Sequence, residues 1–268
     1  MHARRDVDDG RRPRHPYFRD PSGVVALAHR GFAIDGRENG LPAFAAAVDL
    51  GFRYVETDAH ATSDHVAVAL HDETLDRTTD ARGLVRELPW SVVGRARIGG
   101  VDPVPRLDDV LGTWPDLRVN IDVKHEHAMA PVAEAIERTA AHDRVCVTSF
   151  SAARRRGTLA LLSRPVATSA ATGEVVGFLA AHRAHLPRLA ARALRDVDAL
   201  QVPVAQGRVT VVDAGTVATA HAAGRDVHVW TVNDPVEMHR LLDLGVDGLV
   251  TDRADLLREV LRTRGLWP

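Results

Sequence analysis

The run VHVWTV at residues 227–232, followed by PVEMHRLLDL at 235–244, LVT at 249–251 and ADLLREVLRT at 254–263, decides the fold. Two short β-branched segments alternate with two longer segments of helical period. Working back from there, the same alternation recurs. A strand at residues 24–29 precedes a helix at 41–50 stopped by Gly51, and a strand follows at 54–59. An extended run at 66–71 is entered through the turn-like Ser63-Asp64. After an irregular region at 72–105, long enough for a lid or side wall, come a helix near 107–113 and a strand at 118–124. Helices at 130–141, 152–162, 174–185 and 213–223 then alternate with strands at 145–150, 166–169 and 200–204. Strands this apolar are expected to be buried on both faces of a parallel sheet, with right-handed crossovers. About eight such units in 268 residues predict closure into a single (β/α)₈ (TIM) barrel, spanning 23–268 behind a flexible leader at 1–22.

Composition agrees. Hydrophobic residues make up 45% of the chain and aromatics only 4%, which suits an aliphatic core and excludes a disordered or collagen-like chain. The 34 basic and 36 acidic residues nearly cancel, and no basic run interleaves with aromatics, so nucleic acid is not an expected partner. Cys146 is the only cysteine, which excludes an internal disulfide and a thiolate metal cluster. Its apolar neighbours Val145 and Val147 predict a packed thiol. Residues 1–20 have no apolar signal-peptide core, and no later segment has the ~18 apolar residues of a span. The expectation is a cytoplasmic protein without stable membrane insertion; its oligomeric state is not set by these features.

In such a barrel the reactive residues lie at the C-terminal ends of strands. The first strand ends in His29-Arg30-Gly31, offering a proton-transfer group, a cation for an anionic oxygen, and close backbone approach. Glu38 and Asn39 follow; Asn39 reads as a helix N-cap or as a contact to a phosphate or hydroxyl. Glu56 and Asp58 project to one side of their strand, and a hard divalent cation would relieve their repulsion. His71-Asp72 places a second histidine at the end of an extended run. In the strand at 118–124, Asn120, Asp122 and Lys124 share a face, which is unfavourable unless they meet one another, a metal or a ligand.

Taken in order, these motifs resemble the glycerophosphodiester phosphodiesterase family. The resemblance runs through His29-Arg30-Gly31, Glu38-Asn39, Glu56-Thr57-Asp58, His71-Asp72, Leu75-Asp76-Arg77-Thr78-Thr79 and residues 104–111. It continues in Asn120-Ile121-Asp122-Val123-Lys124, Val229-Trp230-Thr231-Val232-Asn233 and residues 245–252. It implies metal-dependent hydrolysis of a glycerophosphodiester to glycerol 3-phosphate and an alcohol. By that resemblance Glu56, Asp58 and Asp122, with Glu38 as a possible fourth ligand, would hold one divalent cation, Mg²⁺ or Ca²⁺ with Mn²⁺ possible. His29 and His71 would be the acid–base pair, Arg30, Asn39 and Lys124 would contact substrate, and Trp230 would wall the pocket. Two positions depart from the pattern: Asp122 stands where Glu is usual, as in the similar spider-toxin phospholipases D, and Gly40 replaces a Thr. His60, His65, His125 and His127 have no role in the resemblance and read as solvated loop residues.

The chemistry demands such groups. A cation with Arg30 and Lys124 would neutralise the phosphodiester, and histidines suit proton transfer to an alkoxide near neutral pH. The attacking group, a neighbouring glycerol hydroxyl or water, and the order of the two histidines are both left open. Competing readings are a lysophospholipase D-like or cyclising enzyme, a non-catalytic phosphodiester-binding barrel, and a sugar-phosphate aldolase or isomerase using Lys124, the only lysine. No amphipathic or strongly apolar entry segment is evident in the sequence, which weighs against a lipid substrate.

Overall fold

The computed structural model describes residues 14–20, 22–33 and 35–267. Eight strands form its centre: β1 (Val25–His29), β2 (Tyr54–Ala61), β3 (Arg118–Val123), β4 (Val145–Thr148), β5 (Ala167–Thr168), β6 (Ala199–Pro203), β7 (Asp226–Trp230) and β8 (Gly248–Thr251). From β1 to β5 and from β6 to β8 each strand pairs in parallel with the next, and β8 returns to β1. Between β5 and β6 the ring closes through a parallel bridge of Ser169 with Ala199. There the Asp198 N–H donates to Thr168 O and the Ala170 N–H to Ala199 O, each at 2.9 Å. The expected (β/α)₈ barrel is the observed one.

The run at 66–71 is not a barrel strand. Ala67–Ala69 folds back antiparallel on β2, pairing Ala59 with Ala69 and Ala61 with Ala67. The turn at 62–66 is too short for the crossover a parallel strand requires. Thr62 Oγ1 donates to Asp64, the Thr62 N–H to Val66 O, and His65 takes φ +62°. Residues 72–105 then pack as a side wall around Leu75, Val85, Val93, Ala96, Ile98 and Val104. None of them lines the main cavity.

Two faces of each strand have separate duties. Outward Val55, Val119, Ile121, Val147, Val202, Val229 and Leu249 pack under the helices. Inward Val25, Leu27, Tyr54, Cys146, Ala167, Ala199 and Val250 fill the barrel, together with Tyr17 and Phe18. The latter two correct the expectation of a flexible leader at 1–22. Pro16–Phe18 is a turn of 3₁₀ helix whose two aromatic rings are buried, and Tyr54 Oη donates to Tyr17 O at 2.8 Å. The small inward residues Cys146, Ala167 and Ala199 leave a void at the strand-entry end, and these rings fill it. Residues 1–13 of that leader lie outside the described residues. No helix among the described residues is long and apolar enough to cross a membrane.

The sequence reading lacks a helix before β6. The stretch at 174–185 is part of Thr172–Arg183, and a separate helix, Pro187–Ala193, precedes β6.

Candidate active site

Above the apolar layer, period-two alternation carries the inward face into polar residues: Glu56, Asp58 and His60 on β2, Asn120 and Asp122 on β3, Gln201 on β6, His228 on β7. Asn120 and Gln201 exchange amide hydrogen bonds of 3.2 and 3.0 Å across the barrel. His228 lies below them, 3.4 Å from Gln201 Nε2, and burial drives its pKa down to about 4. Gly248 makes room for it, because a Cβ there would stand 2.8 Å from the imidazole.

Over this floor opens a cavity of about 600 Å³. One side is charged: His29, Arg30, Glu56, Asp58, His71, Asp122 and Lys124. The opposite side is apolar, with Phe150, Val175, Val176, Leu179, Val211 and Trp230. Phe150 and Trp230 meet edge to face at 6.0 Å, and the Trp230–Thr231 peptide is cis.

Each histidine is held through Nδ1 by a carboxylate. His29 Nδ1 is 2.6 Å from Asp252, which Asn233 anchors through its side-chain amide at 2.8 Å. His71 Nδ1 is 2.6 Å from Asp72, which Arg77 grips with two N–H donors. Both carboxylates fix the Nδ1–H tautomer and free Nε2. Burial lowers the pKa of His29, but the Glu56 charge and the Asp252 hydrogen bond outweigh it and raise it. The sequence reading includes Asp72, Arg77, Asn233 and Asp252 only as motif letters. The roles of Asn233 and Asp252 depend on side chains crossing between the exits of β7, β8 and β1, whereas Asp72 and Arg77 act within the segment that follows His71.

The three acids are buried together. Lys124 Nζ stands 2.7 Å from both Asp58 Oδ1 and Asp122 Oδ2. Arg30 Nε is 3.0 Å from Asp58 Oδ2, and the Arg30 N–H donates to Glu56 at 3.2 Å. Burial and the neighbouring Asp58 charge push Glu56 up to about 8. Burial likewise raises Asp122, whereas Lys124 and Arg30 hold Asp58 below its ordinary value despite its burial. Asp122 Oδ1 is buried without a hydrogen-bond partner among the described residues. Among the described residues no three Asp, Glu, His or Cys side chains converge on one metal position; the ammonium of Lys124 lies between two of the acids. Burial and mutual repulsion thus favour a proton on Glu56 in the absence of a further cation. That mutual repulsion, the orphaned Asp122 oxygen and an all-oxygen donor set fit a hard divalent cation.

Other expected residues fall differently. Asn39 is neither an N-cap nor a cavity contact: Gly40 is the cap of Leu41–Asp49, with no side-chain hydrogen bond. Asn39 is wholly buried with φ +60°, donates to Asp58 at 3.1 Å and accepts from Thr57 at 2.8 Å. It braces the acid from beneath. Glu38 does not line the cavity either; Arg30 and Arg77 both donate to its Oε1, at 2.9 and 2.7 Å. His60 is a buried β2 residue rather than a solvated loop, and its Nε2 donates to His71 O at 3.2 Å. Gly31 is dictated by packing: it has φ +83°, and a Cβ would lie 2.6 Å from the Ala43 backbone.

A closed (β/α)₈ barrel with paired histidines and a carboxylate–cation cluster at its strand-exit mouth defines a barrel hydrolase. The sequence profile of the glycerophosphoryl diester phosphodiesterase family matches residues 29–256, and the chain belongs to that family. It is therefore an enzyme of the phosphoric diester hydrolase class. It is 46% identical over 262 residues to the probable glycerophosphodiester phosphodiesterase 2 of Mycobacterium tuberculosis, covering 97% of this chain and 99% of that one. A glycerophosphodiester phosphodiesterase of Bacillus altitudinis is 29% identical over 261 residues, covering 88% and 98%. Among solved structures, the glycerophosphodiester phosphodiesterase of Agrobacterium tumefaciens superposes with a TM-score of 0.74 at 24% identity, covering 89% and 99%. An Oleispira antarctica phosphodiesterase in complex with the product sn-glycerol-3-phosphate gives 0.72 at 21% identity, covering 88% and 96%.

Proposed function

We propose that this enzyme hydrolyses glycerophosphodiesters to glycerol 3-phosphate and an alcohol, with a divalent cation and with His29 and His71 as the acid–base pair. The observation that carries the reading is the pair of carboxylate-oriented imidazoles on the charged side of one cavity. Arg30 and Lys124 line that side and neutralise the phosphodiester. One histidine removes a proton from the attacking hydroxyl or water through Nε2; the other delivers one to the departing alkoxide. Glu56, Asp58 and Asp122 would hold the cation, which supplies Lewis-acid stabilisation of the phosphoryl oxygens.

The test is release of glycerol 3-phosphate from glycerophosphocholine and glycerophosphoethanolamine with Mg²⁺, Ca²⁺, Mn²⁺ or EDTA. Release that EDTA abolishes and one of the ions restores is expected. Turnover unaffected by EDTA defeats the metal, and no turnover with any ion defeats the substrate class. The apolar side of the cavity favours a second reading, in which the substrate carries an acyl chain, as a lysophospholipid does. Phosphorus NMR of the products separates hydrolysis from cyclisation for either substrate.

A further inference from the structure

The helix Thr172–Arg183 does not run down the barrel wall as a crossover helix does. Arg183, at its end, donates to Thr210 O at 2.9 Å, in the hairpin of Ala205–Gln206 with Val209–Thr210 that follows β6 at the strand-exit side. The next helix, Pro187–Ala193, makes the descent: Leu194 O and Arg195 O accept from Arg225, at the entrance to β7. Thr172–Arg183 therefore lies along the mouth, and its Val175, Val176 and Leu179 form part of the cavity wall.

The outer surface beside it carries unusual exposure. Phe150, Val176, Leu186, Leu189 and Val209 are between 46% and 60% exposed, all along the rim formed by this helix, the start of the next, the hairpin and the β4 exit. Arg183, Arg188 and Arg208 are exposed among them. Arg188 and Arg208 have no carboxylate partner among the described residues. The rim segments 183–189 and 208–209 carry three arginines, at 183, 188 and 208, and no Asp or Glu, in a protein of net charge −2. Aliphatic side chains next to unpaired guanidinium groups match the two layers of a lipid interface, acyl chains below and anionic headgroups above. Val176 and Phe150, 60% and 58% exposed, also line the cavity. The apolar wall of the cavity is thus continuous with the rim.

We propose that this rim docks peripherally on an anionic lipid surface, opening the cavity directly toward the lipid layer. The sequence reading finds no amphipathic entry segment because the contributing residues are spread over 150, 176, 183–189 and 208–209 and gather only in the fold. Each arginine brought to an anionic surface strengthens binding on the order of fivefold, and salt screens that gain.

Full-length protein is mixed with vesicles of phosphatidylcholine alone, or with an equal part of phosphatidylglycerol, and the bound fraction is read by co-sedimentation. Binding to the phosphatidylglycerol vesicles that falls with added salt is expected. The rim variant Arg188→Glu/Leu189→Ser/Arg208→Glu should bind more than about tenfold more weakly. Arg195→Glu/Leu161→Ser, at the opposite end of the barrel, should bind as the wild type does. The hairpin pair Arg208→Glu/Val209→Ser, on a wholly exposed turn, should weaken binding with an unchanged melting temperature. No binding to phosphatidylglycerol vesicles at low salt, equal binding to neutral vesicles, or wild-type binding by both rim variants overturns the proposal. Because the readout needs no turnover, this result is independent of the reaction proposed above.

Discussion

His29 and His71 occupy different loops yet share one construction: a carboxylate at Nδ1, secured by a third side chain, with Nε2 left for chemistry. General acid and base roles each contribute on the order of 10²–10⁴-fold. His29→Ala and His71→Ala should therefore lower turnover of glycerophosphoethanolamine by about that factor while leaving the melting temperature near wild type. A variant of either that retains wild-type turnover removes that histidine from the mechanism. Both residues are visible in the sequence as charges ending apolar runs. The partners of His29 are not, since the His29–Asp252 and Asn233–Asp252 contacts join positions 223 and 19 residues apart, whereas Asp72 and Arg77 stand one and six residues after His71.

At the scale of elements, the loop from β1 to the helix Leu41–Asp49 is under the tightest constraint. Arg30 and Asn39 both take positive φ, and Gly31 lets the loop pass against Ala43, where the Phe32 N–H donates to Ala43 O at 2.8 Å. This arrangement turns the Arg30 side chain to Asp58 and the Asn39 amide beneath it. Gly31→Ala combines a disfavoured φ with a collision against backbone, so a loss of about 2 kcal/mol or more is expected in urea unfolding. A midpoint equal to wild type would show that the loop can shift without strain. The sequence marks Gly31 as permissive, but the reason lies in the approach of a helix twelve residues on. Strand alternation was legible for the converse reason: side chains of β2 and β3 alternate by covalent geometry, so Glu56, Asp58, Asn120 and Asp122 face inward wherever those strands run. The run at 66–71 has strand composition too, and only the brevity of the turn before it makes it an antiparallel flap.

For the molecule as a whole, the barrel interior is layered: aromatic plug, small residues, amide and imidazole network, then charges. Within the network His228 is fully buried, and burial lowers its pKa from 6.5 to about 4. Its unfolded form takes up a proton as pH falls through 6.5 while its folded form does not, so its contribution is intact above that value. Stability is lost between about pH 6.5 and 4, on the order of 3 kcal/mol in full. Urea midpoints compared at about pH 7.5 and 4.5 should show a flatter dependence for His228→Gln than for wild type. An equal slope in the two proteins rules His228 out as the source. The sequence by itself determined the barrel, the inward face of each strand and most of the charged mouth, because strand periodicity and helix length are local properties of the chain. Tertiary structure alone decided the rest. It seated Tyr17 and Phe18 in the barrel floor, drew Asn39 and Glu38 away from the cavity, and set the Asp252 carboxylate behind His29. It also gathered scattered apolar residues and arginines on one rim. Each of these depends on distances between segments remote in sequence, and only closure of the barrel fixes them.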